Sequence, residues 1–335
     1  MPISNASKLN STSDDTAMRT ILLTGADGFV GPYVVKALHE MCAPADIIVT
    51  TKGGGHHPAF GKMRKLDVTD MENVDAVIAQ ASPTHVVHLA GIAAVATASH
   101  DPDAAWAVNV GGARHVARAI LTHTPDCWML NVGSGLIYGE TAKRDRSLAE
   151  DALPAPVDEY GATKTAADFA LGTLARQGLK VIRLRPFNHT GAGQTEAFAI
   201  PAFAAQIARI EAGAIAPRLR VGNLEAERDY LDVRDVARAY ALCVNHADHL
   251  PPGLVLNVAS GVPRKMRDLL DILLSRSRCD IAVEQDPSRM RASDIPRIAG
   301  DASRIRNLLG WQPEFTIEET LDDVLNDCRA QVARH

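Results

Sequence analysis

An α/β fold is what this sequence predicts: a doubly wound parallel sheet with a smaller mixed α/β lobe behind it. Three observations carry that reading. Apolar, often β-branched runs alternate with helical stretches over roughly the first 190 residues, the βαβ pattern of a parallel sheet. Glycines at three-residue spacing stand directly behind the first apolar run. Beyond about residue 190 the alternation gives way to short strands and a few helices.

In chain order, strands are expected at 20–24, 47–51, 85–89, 128–132 and 180–184, with helices near 31–42, 70–80, 103–122 and 160–177. The first strand, Thr20-Ile21-Leu22-Leu23, runs into Thr24-Gly25-Ala26-Asp27-Gly28-Phe29-Val30-Gly31 and then into the helical pattern Val34-Val35-Lys36-Ala37-Leu38. Gly25 suits the tight turn, Gly28 lets backbone approach a pyrophosphate, and Gly31 lets helix and strand pack closely. The helix N-terminus behind them offers N–H groups and a partial positive charge to that pyrophosphate. The strand at 128–132 ends in Gly133-Ser134-Gly135, which puts Ser134 at the carboxyl edge of the sheet, where open parallel sheets bind ligands. In Asp158-Glu159-Tyr160-Gly161-Ala162-Thr163-Lys164 no proline interrupts the pattern, and a helix there sets Tyr160 and Lys164 one turn apart on one side. An ammonium beside a phenol favours the phenolate. A tyrosine so tuned exchanges a proton with a substrate oxygen.

Serine, tyrosine and lysine behind a glycine turn make a hydride-transfer constellation, and here the chain resembles the extended short-chain dehydrogenases that act on nucleotide sugars. The resemblance covers about residues 19 to 333 and rests on Thr24 to Gly31, Leu66-Asp67-Val68, His88-Leu89-Ala90-Gly91, Asn109, Ser134, Tyr160/Lys164 and Arg185-Pro186-Phe187-Asn188. It implies a Rossmann-type nucleotide domain over 18–190, with a return segment near 229–250, and a mainly substrate-binding lobe over 191–335. It implies Ser134, Tyr160 and Lys164 as the catalytic residues. Gly25, Gly28, Phe29, Val30, Gly31, Leu89, Ala90, Gly91 and Pro186 would line the cofactor cleft with Tyr160 and Lys164, Asp67 and Val68 would flank the adenine, and Asn109 would support the site.

The cofactor is expected to be NADPH. The second strand ends Ile48-Val49-Thr50-Thr51-Lys52 without the carboxylate that grips a ribose 2′-hydroxyl, and Lys52 suits a 2′-phosphate; the two threonines leave NADH open. The second-lobe segments, from Arg185 to Gln194, 200–213, 221–236 and 285–291, resemble those of family members that reduce the C4 keto group of GDP-4-keto-6-deoxy-D-mannose to GDP-D-rhamnose. That resemblance implies a GDP-sugar substrate held by Ser134, Asn188, Arg228 and Arg291, since a guanidinium fork matches a diphosphate. Leu136 stands where dehydratases of the family carry a glutamate and epimerase/reductases a cysteine. A plain ketone reduction needs neither. A nucleotide-sugar 4-epimerase and the reductase forming GDP-6-deoxy-D-talose stay open at this point, while the complete triad argues against a non-catalytic NADP-binding protein.

Composition bounds the rest. A formal net charge of −5 argues against a general nucleic-acid surface. The five cysteines are scattered, with no metal-ligand spacing, and read as reduced packing residues of a cytoplasmic protein. No metal is expected. No apolar run approaches a membrane span, and residues 1–17, rich in Ser, Thr, Asn and Asp, read as a disordered tail without a signal peptide's apolar middle. A homodimer through the helices near 103–122 and 158–177 is expected from the family resemblance.

Overall fold

The structure is a computed structural model that describes residues 18–144, 147–290 and 295–334; the expected tail and Arg291 lie outside the described residues. The chain runs β1 (Arg19–Thr24), α1 (Gly31–Met41), β2 (Ala45–Thr51), β3 (Gly55–His57), β4 (Gly61–Lys65), α2 (Met71–Ala81), β5 (His85–His88), α3 (Val95–His100), α4 (Pro102–Trp106), α5 (Ala113–His123), β6 (Trp128–Val132), α6 (Glu159–Ala175) and β7 (Lys180–Pro186). It continues through β8 (Asn188–Thr190), α7 (Ala199–Glu211), β9 (Arg218–Val221), β10 (Glu227–Asp232), α8 (Val233–Asn245), β11 (Val255–Val258), β12 (Pro263–Lys265), α9 (Met266–Ser275), β13 (Ala282–Gln285), β14 (Arg297–Ile298), α10 (Ser303–Leu309) and α11 (Ile317–Val332).

The main sheet has eight strands in the order β11-β7-β6-β5-β1-β2-β4-β3, and every pairing in it is parallel except β3 with β4. From β1 the chain winds one way through β2 and β4, then returns to the other side of β1 for β5, β6 and β7. The reversal leaves a crevice at the carboxyl ends of β1 and β5, where such sheets bind ligands. Alternation along the strands sorts the core into two layers. Ile21, Leu23, Val87, Leu130 and Leu184 pack with α1 and α8, whereas Leu22, Val86, Met129 and Val181 pack with α2, α5 and α6. The β3–β4 hairpin was not among the strands expected from sequence. Its residues, Gly55 to Lys65, are largely polar and partly exposed, as an edge allows, so no apolar run marks it.

The second lobe has its own core, in which Ile200, Phe203, Leu219, Leu269, Leu321 and Val324 pack α7, α9 and α11 together. Two carboxylates stitch the lobes. Asp229 is fully buried and accepts from the Ser260 N–H at 2.9 Å, Gly261 N–H at 3.0 Å and Gly300 N–H at 3.1 Å. Asp235, also fully buried, accepts from the Glu314 and Phe315 N–H groups at 2.9 and 3.1 Å. The chain returns to the nucleotide domain as α8 against α1 and then as β11 beside β7. No helix among the described residues is long and apolar enough to cross a membrane.

Candidate active site

A cleft of about 550 Å³ opens at the carboxyl edge of the main sheet, between the two lobes, within the volume range usual for small-molecule sites. Its nucleotide side carries Gly25, Gly28, Phe29, Val30, Gly31, Lys52, Asp67, Val68, Leu89, Ala90, Gly91, Ser134, Tyr160, Lys164 and Pro186, and its far side carries Asn188. The glycine turn does what its residues permit. Gly25 sits at φ +67°, and a Cβ there would lie 2.7 Å from Ala90 Cα, so only glycine lets the turns after β1 and β5 meet. A Cβ on Gly31 would come within 1.9 Å of Ala26 O, which fixes how closely α1 begins against the turn. No side chain caps α1.

Asp158 caps α6 by accepting from the Gly161 N–H at 2.7 Å, which typically contributes about 1 kcal/mol and starts the helix one residue ahead of Tyr160. Tyr160 and Lys164 are both buried on it. Lys164 Nζ donates to Val132 O at 3.0 Å and lies 6.0 Å from the Tyr160 ring centre. Burial lowers the Lys164 pKa to about 8. Contrary to expectation, the phenol of Tyr160 is raised, because burial outweighs its hydrogen bond with Ser134, and Asp158 adds a smaller push upward. The ammonium is spent on a backbone carbonyl and is itself desolvated, so it does not pull the phenol down. Tyr160 therefore holds its proton at neutral pH.

Asn109 lies in a π-helical turn, Ala107–Gly112, between α4 and α5, a distortion often found at functional sites. Its Oδ1 accepts from the Ile92 N–H at 2.8 Å, and its Nδ2 donates to Thr163 Oγ1 at 3.0 Å. It ties the loop after β5 to α6 beside Lys164. Lys52 Nζ lies 3.2 Å from Asp67 Oδ2. Asp67 is held well in its charged form, chiefly by a hydrogen bond from the Thr69 hydroxyl, with Lys52 helping.

One expected substrate contact does not line the cleft, and another lies outside the described residues. Arg228 does not line it; its Nη1 donates to Glu227 O at 2.9 Å and Ile295 O at 2.7 Å, because its strand position directs it to the backbone beside β14. Arg291 lies outside the described residues, and Arg289 pairs with Asp286 at 3.6 Å on the surface. The structure adds residues the sequence reading passed over. His189 lines the cleft and stacks on Phe29 with ring centres 6.3 Å apart, so the glycine turn touches the far wall directly. Gln194, Thr195 and Phe198 extend that wall, and Leu136 and Tyr240 complete the floor. The motif Asn188-His189 was visible in sequence, but only folding shows what the histidine faces. His88, which ends β5, bonds Thr24 Oγ1 at 2.9 Å and is driven down to about 3, first by burial and then by the Lys164 charge.

The donor set fits a dinucleotide: a glycine turn and an uncapped helix start for phosphates, hydroxyls and an ammonium at the other end, and an orphaned buried hydroxyl on Tyr240. Among the described residues no group of His, Cys, Asp or Glu could hold a metal ion. A parallel sheet, a glycine turn behind β1 and a Ser–Tyr–Lys cluster at the carboxyl edge define an NAD(P)-dependent enzyme of the short-chain dehydrogenase type. Residues 21–259 match the NAD dependent epimerase/dehydratase family, and the chain belongs to it. It is 31% identical over 313 residues to GDP-6-deoxy-D-mannose reductase of Pseudomonas aeruginosa, covering 93% of this chain and 98% of that protein. It is 25% identical over 300 residues to GDP-6-deoxy-D-talose 4-dehydrogenase of Aggregatibacter actinomycetemcomitans, covering 88% and 93%. Among solved structures, RMD from Pseudomonas aeruginosa complexed with NADPH superposes with a TM-score of 0.82 at 30% identity, covering 93% of this chain and 99% of that one.

Proposed function

We propose that this protein uses NADPH to reduce the C4 keto group of GDP-4-keto-6-deoxy-D-mannose, forming GDP-D-rhamnose. The observation that carries the reading is Ser134, Tyr160 and Lys164 gathered in one cleft with Leu136, which has no acid or base to offer, beside them. The likeness to GDP-6-deoxy-D-mannose reductase supports the sugar.

When bound, reduced nicotinamide supplies hydride. The chain's own groups do the rest. Ser134 and Tyr160 hydroxyls hold the ketone oxygen, and Tyr160, protonated at neutral pH, gives its proton to the alkoxide that develops there. Lys164, on α6 beside Tyr160 and bonded to Val132 O, would hold the ribose hydroxyls. Asp67 and Val68 would flank the adenine, and Lys52, 3.2 Å from Asp67, would meet the 2′-phosphate, which favours NADPH over NADH. Asn188 would meet the sugar diphosphate, Arg228 would reach it only by moving toward the cleft, and Arg291 is read as the second arginine for it. No step calls for a second acid or base at position 136.

The likeness to a GDP-6-deoxy-D-talose 4-dehydrogenase favours one second reading, the C4 epimer as product. A nucleotide-sugar 4-epimerase is the further alternative, and it would keep NAD through its cycle. The protein is read as a cytoplasmic homodimer. Its cysteines are free, and Trp106 at the end of α4 and Phe169 on α6 are exposed at 41% and 53%, apolar surface that a second copy would cover.

The deciding experiment mixes the protein with NADPH and freshly made GDP-4-keto-6-deoxy-D-mannose. Fast loss of NADPH absorbance with GDP-rhamnose in the proton NMR spectrum is the expected result. A talose product redirects the reading to the epimeric reductase, and no oxidation of NADPH or NADH removes it.

A further inference from the structure

Tyr240 has a hydroxyl that the protein alone does not use. It lies on α8, is fully buried, and its phenol oxygen has no hydrogen-bond partner among the described residues. Leaving a polar group closed to water without a partner costs free energy, and phenylalanine would fill the same space without that cost. The residue nevertheless lines the dinucleotide cleft. It belongs to the same buried core cluster as Trp128, Leu130 and Leu184, so the ring is anchored in the core of the sheet while the residue borders the cleft.

The end of the cleft it serves follows from its neighbours. Tyr240 is near enough to Tyr160 for the two phenols to couple electrostatically when they ionise, and α8 packs against β6, which Ser134 follows two residues on. It therefore stands toward the triad end, whereas Lys52 and Asp67 follow β2 and β4 on the other side of β1. It rises from α8, which packs against α1 and β6 of the main sheet. What a nicotinamide cofactor presents at that end is its ring carboxamide, which carries both N–H donors and a carbonyl acceptor.

We infer that the Tyr240 hydroxyl hydrogen-bonds the nicotinamide carboxamide of bound NADP(H) and so sets the angle of the ring at the triad. The inference rests on the reading of this cleft as the NAD(P) seat. A contact made only by the ring end predicts that Tyr240→Phe discriminates between NADPH and 2′-phospho-ADP-ribose, which lacks the nicotinamide altogether.

Titration calorimetry of both compounds against both proteins tests it. Tyr240→Phe should weaken NADPH roughly 3- to 10-fold and leave 2′-phospho-ADP-ribose as in wild type. Its unliganded melting temperature should be no lower than wild type, since no protein hydrogen bond is lost. Equal binding of NADPH by both proteins overturns the inference alone. So does weakening of both compounds, or a fall in the unliganded melting temperature, because either marks a structural role. Wild-type protein that binds neither compound overturns the cofactor reading and this inference with it.

Discussion

The two walls of the cleft are built in different ways. The nucleotide wall is a row of turns, each following a parallel strand: Gly25 to Gly31 after β1, Leu89 to Gly91 after β5, and Gly133 to Gly135 after β6. Every such turn is pinned by a strand buried on both faces. The substrate wall is mostly one excursion from β8 to α7, whose core is remote from it. Side chains hold that excursion in shape: Thr190 Oγ1 donates to Gln194 Oε1 at 2.7 Å, Gln194 Nε2 to His189 O at 3.1 Å, and the Gly193 N–H to Asp327 Oδ2 at 2.8 Å. The difference separates tasks. A wall set by the sheet can keep one chemistry in register, while a wall set by a few side-chain bonds can be altered for another sugar without disturbing that chemistry.

The comparison predicts where mutations will be felt. The largest effect belongs to the nucleotide wall. Tyr160→Phe should lower kcat by about 10²- to 10⁴-fold with NADPH affinity kept, measured by steady-state rates and by titration. A variant turning over near the wild-type rate would break the assignment of chemistry to this wall.

Lys164 gives a smaller effect, read as stability against pH. Burial lowers its folded pKa to about 8, below the value near 10.4 of an unfolded lysine. Between these values the unfolded chain binds more protons, so this group adds stability as pH rises and withdraws it as pH falls through about 8. The slope reaches at most about 1.4 kcal/mol per pH unit. Denaturant unfolding of wild type and Lys164→Met from pH 7 to 10 should show the slope in wild type alone.

The smallest effect should come from the substrate wall. Asn188→Ala is expected to raise KM for the GDP-sugar on the order of tenfold with kcat and NADPH affinity nearly unchanged. A fall in kcat equal to that of Tyr160→Phe would show that the walls do not divide the work.

Much of the nucleotide wall was legible because its signals are local. The turn Gly25 to Gly31, Ser134 behind an apolar strand, and Tyr160 and Lys164 one helical turn apart can be read from short stretches. The β3–β4 hairpin escaped because an exposed edge strand needs no apolar run. Arg228 was expected at a diphosphate from the family resemblance, and what sequence could not show is that its guanidinium, on β10 beside β14, donates to Ile295 O. Tyr240 carried no signal, since nothing in the sequence of α8 tells that its hydroxyl has no hydrogen-bond partner among the described residues.

By itself, then, the sequence determined the α/β class and the place of the glycine turn, and it marked Ser134, Tyr160 and Lys164, which the fold gathers in one cleft, because periodicity and spacing act over a few residues. Tertiary structure alone decided that burial raises the Tyr160 phenol, that His189 stacks on Phe29 across the cleft, and that the Tyr240 hydroxyl is buried without a partner among the described residues. Each of these depends on burial and on approach between segments far apart in the chain, and desolvation has no value until the core has closed around the group.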